Sequence, residues 1–247
     1  MVIPARLAAV RLPRKPLRLL AGLPLIVRVW QRVSAMKIAD VCVVATDDDS
    51  VAHAAREAGA ECVMTSDSHT SGTERVAEVA RMSRFATYST IVNVQGDEPF
   101  IGARAVEGAA EIVASERFPL GTAAAAADWD IADDPNIVKV VNSDDSRAMY
   151  FSRAAIPFPR DGAAAGGLKP LQHIGVYAYS RDALEKWVGL PPHPLELTER
   201  LEQLRPLAAG IPMGVAVVDE TPRAGIDTEE ELSRANARWD AFISDGR

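Results

Sequence analysis

An alternation constrains this chain more than any other feature. Through residue 120, short runs of apolar and β-branched residues are each followed by a stretch of helical period. "DVCVVATDD" (40–48) reads as a buried strand ending in acids, and the Ala-rich "SVAHAAREAGA" (50–60) as the helix after it. "ECVMTS" and "SGTERVAEVARMSRF" repeat the pair, as do "STIVNVQGDEPF" and "ARAVEGAAEIVAS". Ser71 and Glu74, three apart, have the spacing of a capping box. Upstream, Met1-Val2-Ile3 is a short strand, and "LPLIVRVWQRV" sets Leu25, Ile26, Val29, Trp30 and Val33 on one helical face. Strands alternating with such helices imply right-handed βαβ units, because parallel neighbours can be joined only by a crossover. The first half is therefore doubly wound, on a mostly parallel sheet.

The alternation fails beyond about residue 120. "GTAAAAADW", "NIVKVVNSD", "RAMYFSRAAIPF" and "HIGVYAYS" are strand candidates with no long helices between them, which predicts an antiparallel excursion over about 120–180. The alanines of 123–127 read as a tightly packed strand, and "DGAAAGG" (161–167) as a flexible loop. "LELTERLEQLR" predicts a helix that stops or kinks at Pro206, "MGVAVVD" a returning strand, and "TEEELSRANARWDAFI" a capped terminal helix. The expectation is one domain over 1–247 carrying that excursion.

Arg6, Arg11, Arg14, Lys15 and Arg18 crowd into the segment behind the first strand, in a chain of 247 residues whose formal net charge is -7. A nucleic-acid surface needs a broad basic face, whereas a local cluster in an acidic protein points to a small polyanion. No apolar stretch approaches a membrane span and Pro4 and Arg6 interrupt any signal-peptide core, so the expectation is a soluble, cytoplasmic protein with no membrane partner. Cys42 and Cys62, without CxxC spacing, read as two buried small hydrophobes.

Ligands of open parallel sheets bind beyond the carboxyl ends of the strands. Four polar clusters fall at such ends: Arg6 to Lys15, Asp47 to Asp49, Ser66 to Gly72 and Gln95 to Glu98. The basic loop lacks the glycines of a Walker A, so it must act through side chains; guanidinium grips phosphate oxygens bidentately and Lys supplies a point charge. A solvated basic loop is the alternative, although Pro13 and Pro16 stiffen the chain around Lys15. Asp97, past a buried strand, is a candidate for Mg²⁺, which keeps several waters and takes one or two carboxylates. Asp227, in "AGIDTEEEL", is a second, and it also reads as an ordinary helix N-cap. Cations facing a carboxylate pair suit nucleotidyl transfer.

The residues also carry a resemblance. "PARLAAVRLPRKPL" is similar to the PAR-x(4)-R-L-P-G-K-P-L stretch of the 3-deoxy-manno-octulosonate cytidylyltransferase (CMP-Kdo synthetase) family. "SHTSGTERVAEV", "IVNVQGDEP", "NIVKVV", "YFSRAAIPF", "HIGVYAY", "LEQLR" and "GIDTEEEL" resemble that family's segments in the same order, from residue 2 to about 235. The resemblance implies an α/β fold with a mixed, mainly parallel sheet of the nucleotide-diphospho-sugar transferase kind, Rossmann-like, with the antiparallel excursion making a homodimer contact. It implies that CTP activates an acidic sugar, Kdo, for lipopolysaccharide biosynthesis, with release of pyrophosphate. Arg6 and Lys15 match the triphosphate-binding pair, with Arg11 nearby; Ser71, Gly72, Thr73 and Gln95 fall on the nucleotide side. Asp97 and Asp227 match the Mg²⁺ carboxylates. Arg153, His173 and Gln203 fall on the sugar side, Arg153 as counter-ion to the sugar's carboxylate. Without the resemblance, His173 would be an ordinary strand-end histidine and Arg153 a surface or inter-subunit charge.

Two departures stand out. Val10 replaces a small hydroxyl residue, and Arg14 stands where the family has a glycine, which would permit a positive φ or close approach of the backbone to phosphate. Arg14 is open to three readings: a further phosphate contact, a strained substitute for glycine, or a solvated side chain. Rivals to the Kdo reading are a cytidylyltransferase for an amino-substituted ulosonate or a sialic acid, and a nucleotide-binding protein without turnover.

Overall fold

A computed structural model of the chain describes residues 1–8, 11–160, 162, 167–223 and 225–245. Val10 and all but Gly162 and Gly167 of the 161–167 loop lie outside the described residues. In chain order the elements begin with β1 (Val2–Ala5), a 3-10 turn (Lys15–Leu17), the hairpin β2 (Leu19–Leu20) and β3 (Leu23–Pro24), and α1 (Leu25–Ala35). There follow β4 (Val43–Thr46), α2 (Asp49–Glu57), β5 (Glu61–Met64), α3 (Gly72–Arg81), β6 (Thr90–Val94), α4 (Ala103–Ala114) and β7 (Leu120–Ala126). The remainder is β8 (Lys139–Asn142), β9 (Ala148–Ser152), β10 (Leu171–Ser180), α5 (Arg181–Gly189), α6 (Pro194–Glu199), α7 (Leu204–Ala208), β11 (Met213–Val218), α8 (Glu229–Ala237) and α9 (Trp239–Asp245).

The chain forms two compact units, one of Met1–Phe85, Asn93–Ile101 and Arg223–Arg247, the other of Ala86–Val92 and Gly102–Pro222. In the first, β1 pairs in parallel with β4 and with Asn93 of β6, and β4 pairs in parallel with β5. Val2, Ile3, Val43, Val44, Ala45 and Val63 make the strands apolar on both faces, as a helix-covered parallel sheet requires. Leu25, Ile26, Val29 and Val33 of α1 are buried as their spacing predicts, with Trp30 half-buried beside them. The capping box at Ser71 and Glu74 forms and starts α3.

The second unit is mixed. β7 pairs in parallel with β11 and antiparallel with β10, β10 pairs antiparallel with β8, and β8 with β9. Ala123, Ala124 and Ala125 are buried, the tight strand the alanine run predicts. Gly121 explains part of that closeness, since a Cβ there would lie 2.3 Å from the Ala109 carbonyl oxygen of α4.

Three expectations need correction. The helix predicted over 195–205 is two helices, because Arg200 turns left-handed at φ 55. Pro206 lies inside α7, third from its start, where a backbone N–H has no intrahelical acceptor to lose. The terminal helix likewise divides at Arg238, where φ reaches -110. Cys42 and Cys62 are free thiols as expected, yet half-buried rather than buried; what burial they have pushes both above the usual thiol range.

Arg14 sits at φ 56, ψ 34, in the left-handed region that glycine enters without penalty. Its side chain is exposed and its carbonyl accepts from Leu17 N at 2.9 Å, closing the turn that holds Lys15. The left-handed φ is what the strained reading requires, while the exposed side chain fits a solvated residue or one open to phosphate. Left-handed residence costs a side-chain-bearing residue about 1–2 kcal/mol, part of which glycine returns as unfolded-state entropy. Arg14→Gly is expected to gain about 0.5–1 kcal/mol, read as a higher denaturant midpoint at unchanged slope; a lower midpoint overturns the assignment of strain.

Candidate functional site

The four polar clusters all follow parallel strands of the first unit, β1, β4, β5 and β6, and so emerge at one edge of its sheet. At that edge the Lys15 ammonium meets Asp97 Oδ2 at 2.5 Å and Asp227 Oδ1 at 2.7 Å. Arg11 donates to the other oxygen of Asp227 at 2.6 Å. Each corner has a local cause. Pro16, buried behind Lys15, sets the 3-10 turn that aims it. Asp97 follows β6 directly. Asp227 is drawn in by Ile226 N, which donates to the Asp97 carbonyl at 2.9 Å, and by Gly225, where a Cβ would lie 3.0 Å from that carbonyl and 2.9 Å from Glu98 Oε1. Burial alone would lower the Lys15 pKa, but the Asp97 and Asp227 carboxylates outweigh it and hold it above its ordinary value. Burial first, then the charges of Asp97 and Asp227, push the Glu98 carboxyl well above the carboxylate range.

Asp227 is not the helix cap. Thr228 is: its hydroxyl accepts from Glu231 N at 3.2 Å, and the Glu231 carboxylate accepts from the backbone N of Thr228 and of Asp227. Capping by the neighbour leaves the Asp227 side chain to Lys15 and Arg11.

Ser71 is the cap of α3, and Thr73 is buried in its first turn. Gly72 passes so close to Gln95 that a Cβ would lie 3.1 Å from its Oε1, and Gln95 Nε2 donates to Asn93 Oδ1 at 3.2 Å. The structure thus joins Gly72 to Gln95. Arg6 is exposed and has no partner among the described residues. Arg75, passed over in the sequence, is buried on α3 and pairs with Asp47 at 2.8 Å, tying the end of β4 to that helix.

Arg153, His173 and Gln203 belong to the second unit. Arg153, just past β9, donates from Nε to the Glu199 carbonyl at 2.8 Å and from Nη1 to the Pro135 carbonyl at 2.7 Å, while its backbone N donates to the Glu199 carboxylate at 2.9 Å. Its guanidinium has no carboxylate partner among the described residues. His173, in β10, lies edge-on to Phe151 of β9 with centroids 5.1 Å apart, and its Nε2 is 2.9 Å from Thr122 Oγ1. Thr122 spends its single proton on the Val176 carbonyl at 2.7 Å, so His173 carries its proton on Nε2 and leaves Nδ1 as an acceptor. Gln203 is buried at the start of α7, a helix that packs against β9.

Comparison with known proteins addresses what this edge serves. A family model described as cytidylyltransferase matches residues 1–215. The chain belongs to the cytidylyltransferase family. A 3-deoxy-manno-octulosonate cytidylyltransferase of Gemmatimonas aurantiaca is 58% identical over 243 residues, 98% of this chain and 94% of that one. One from Stenotrophomonas maltophilia (strain K279a) is 45% identical over 95% of this chain and 94% of the relative. Among solved structures, a CMP:2-keto-3-deoxy-manno-octonic acid synthetase complexed with CTP superposes with a TM-score of 0.89 at 37% identity, covering 97% of both chains. The resemblance read from the motifs is therefore one of family, and the mixed, mainly parallel α/β sheet is the fold of that synthetase.

The family's reading of Asp97 and Asp227 as Mg²⁺ carboxylates has a physical test in the first unit. Their oxygens converge on one cationic head, so two hard donors already point at a common centre. No group of three or more His, Cys, Asp or Glu side chains poised for a metal occurs among the described residues. A sparse oxygen set suits Mg²⁺, which keeps most of its waters, better than Zn²⁺ or Ca²⁺.

Burial pushes the His173 pKa down from 6.5 to about 3. The folded chain therefore holds a neutral ring where the unfolded chain takes up a proton. That stability is complete above pH 6.5 and is lost as pH falls towards 3, at up to about 1.4 kcal/mol per unit. Denaturant unfolding at pH 7.5 and about 5.5 should show a smaller loss of stability in His173→Gln than in the parent; equal losses overturn the neutral ring.

Proposed function

We propose that this cytidylyltransferase couples CTP to the 3-deoxy-2-ulosonic acid Kdo, giving CMP-Kdo and pyrophosphate, the sugar donor for lipopolysaccharide biosynthesis. One observation carries the reading: residues from three distant parts of the sequence, Lys15, Asp97 and Asp227, meet at one point beside Arg11. The names of its relatives supply the base and the sugar.

In this reading Lys15, Arg11 and Arg6 present their cationic heads to the triphosphate, and Gln95, Gly72 and the Ser71-capped start of α3 hold the nucleoside side. Arg153 takes the sugar's carboxylate, since its guanidinium is already oriented by two carbonyls and pairs with no carboxylate among the described residues. His173 Nδ1 accepts from a sugar hydroxyl, and Gln203 lies on the same side. The sugar's 2-hydroxyl oxygen forms a bond to the α-phosphorus while the bond from that phosphorus to the β-phosphate oxygen breaks. The electron pair leaves with pyrophosphate and the hydroxyl proton passes to water. Asp97 and Asp227 would hold Mg²⁺, which when bound would supply neutralisation of phosphate charge and a lowered pKa for the attacking hydroxyl.

Pyrophosphate release from the four nucleoside triphosphates against several sugar acids tests the pairing; release with CTP and Kdo well above the others is expected, and a preference for another sugar acid overturns it. Chelation should abolish release and Mg²⁺ restore it, with Asp97→Asn and Asp227→Asn each losing about 10²-fold or more in kcat. Lys15→Ala should harm kcat/KM for CTP more than for the sugar. Thr228→Ala separates cap from carboxylate: it should cost about 1 kcal/mol of stability and leave turnover near normal.

A cytoplasmic location and a homodimer complete the reading. No helix among the described residues is long and apolar enough to cross a membrane. Support for the dimer comes from the second unit, where Met149 of β9 is 63% exposed and Phe158 just beyond it 79%. Sedimentation equilibrium should return twice the chain mass, and Phe158→Asp should halve it; a monomeric parent sinks the dimer.

A further inference from the structure

Lys139 is the one lysine whose side chain the core of the second unit swallows whole, at 0% exposure among the described residues. It opens β8, where it sits opposite Ser152 of β9 and Gln172 of β10. Among the described residues no carboxylate forms a hydrogen bond or ion pair with its ammonium. All three of its protons go instead to backbone carbonyls: Asp134 at 2.9 Å, Ile137 at 2.7 Å and Arg153 at 2.6 Å. A desolvated cation is costly to keep and is retained only where its hydrogen bonds are complete. Two of those carbonyls bracket Pro135, whose own carbonyl receives Arg153 Nη1 at 2.7 Å, and the third belongs to Arg153 itself. The ammonium therefore grips both the main chain that carries Arg153 and the loop that aims its guanidinium.

We infer that Lys139 is the positioning residue for Arg153, fixing the geometry in which that guanidinium meets the carboxylate of the sugar acid. The inference rests on the reading of Arg153 given under the proposed function. Lys139 does not touch the substrate; it acts through the 134–137 loop and the Arg153 carbonyl. A guanidinium fork loses its advantage over a simple point charge once its plane tilts away from the carboxylate.

The test is a double-mutant cycle on the full chain, with KM measured separately for the sugar acid and for CTP. Arg153→Ala should raise the sugar KM about tenfold or more while the CTP KM stays within about twofold, and Lys139→Met should do the same. The double variant should be no worse than Arg153→Ala alone, because a positioning residue has nothing left to position. A merely structural lysine would damage both substrates or add its effect in full, and either result overturns the inference while leaving the sugar reading of Arg153 in place. An unchanged sugar KM in Arg153→Ala overturns that reading, and the inference with it. If Lys139→Met does not fold, Lys139→Arg serves in the same cycle: it keeps the charge but its planar head cannot meet three converging carbonyls. It is expected to raise the sugar KM with a melting temperature close to the parent's, and an unaltered sugar KM in that variant also overturns the inference.

Discussion

The contact of Lys15 with Asp97 and Asp227 organises the first unit. It closes three segments that the chain presents far apart: the basic loop after β1, the turn after β6 and the segment leading into α8. Because β1 and β6 are parallel neighbours, their following loops leave the sheet at one edge, and the third segment reaches them only because Gly225 has no side chain to hold it off. The charges are poised rather than merely paired. Burial works against the ammonium and two carboxylates prevail over it, while burial first and then the same two carboxylates hold the neighbouring Glu98 carboxyl high. Such an edge suits a polyanion brought with its own cation, since each partner finds opposite charges already converging.

The second unit treats its cations differently. Arg205 pairs with Glu196 at 2.6 Å, an arrangement in which the charge is spent inside the protein. Among the described residues, the charged heads of Arg153 and Lys139 donate to backbone carbonyl oxygens. Carbonyl dipoles orient a cation without cancelling its charge. In His173 of the same unit, desolvation lowers the pKa, and Thr122, whose proton goes to the Val176 carbonyl, accepts from Nε2.

Much of this was legible in the residues. The strands of the first unit, the α3 capping box and the grouping of four polar clusters at strand ends follow from local periodicity and from the way parallel strands must be connected. Asp97, directly after a buried strand, could be placed by that argument alone. Asp227 could not be resolved, because a carboxylate before a Glu-rich helix start serves equally as a cap. The decision lay with Thr228, whose hydroxyl took the capping position. Helix breaks at Arg200 and Arg238 also escaped, since neither residue carries a breaker's signature.

Local sequence by itself determined the parallel βα alternation of the first half, the antiparallel excursion of β7 to β10 and the cationic loop, because secondary-structure period and charge density are properties of neighbours along the chain. Tertiary structure alone decided which oxygen faces which cation. Lys15 meets an aspartate 212 residues away, and Lys139, indistinguishable in sequence from a surface lysine on a strand, is enclosed and turned towards Arg153. Those pairings depend on which loops a folded sheet brings to one edge and on where water is excluded, and neither quantity exists until the chain has closed on itself.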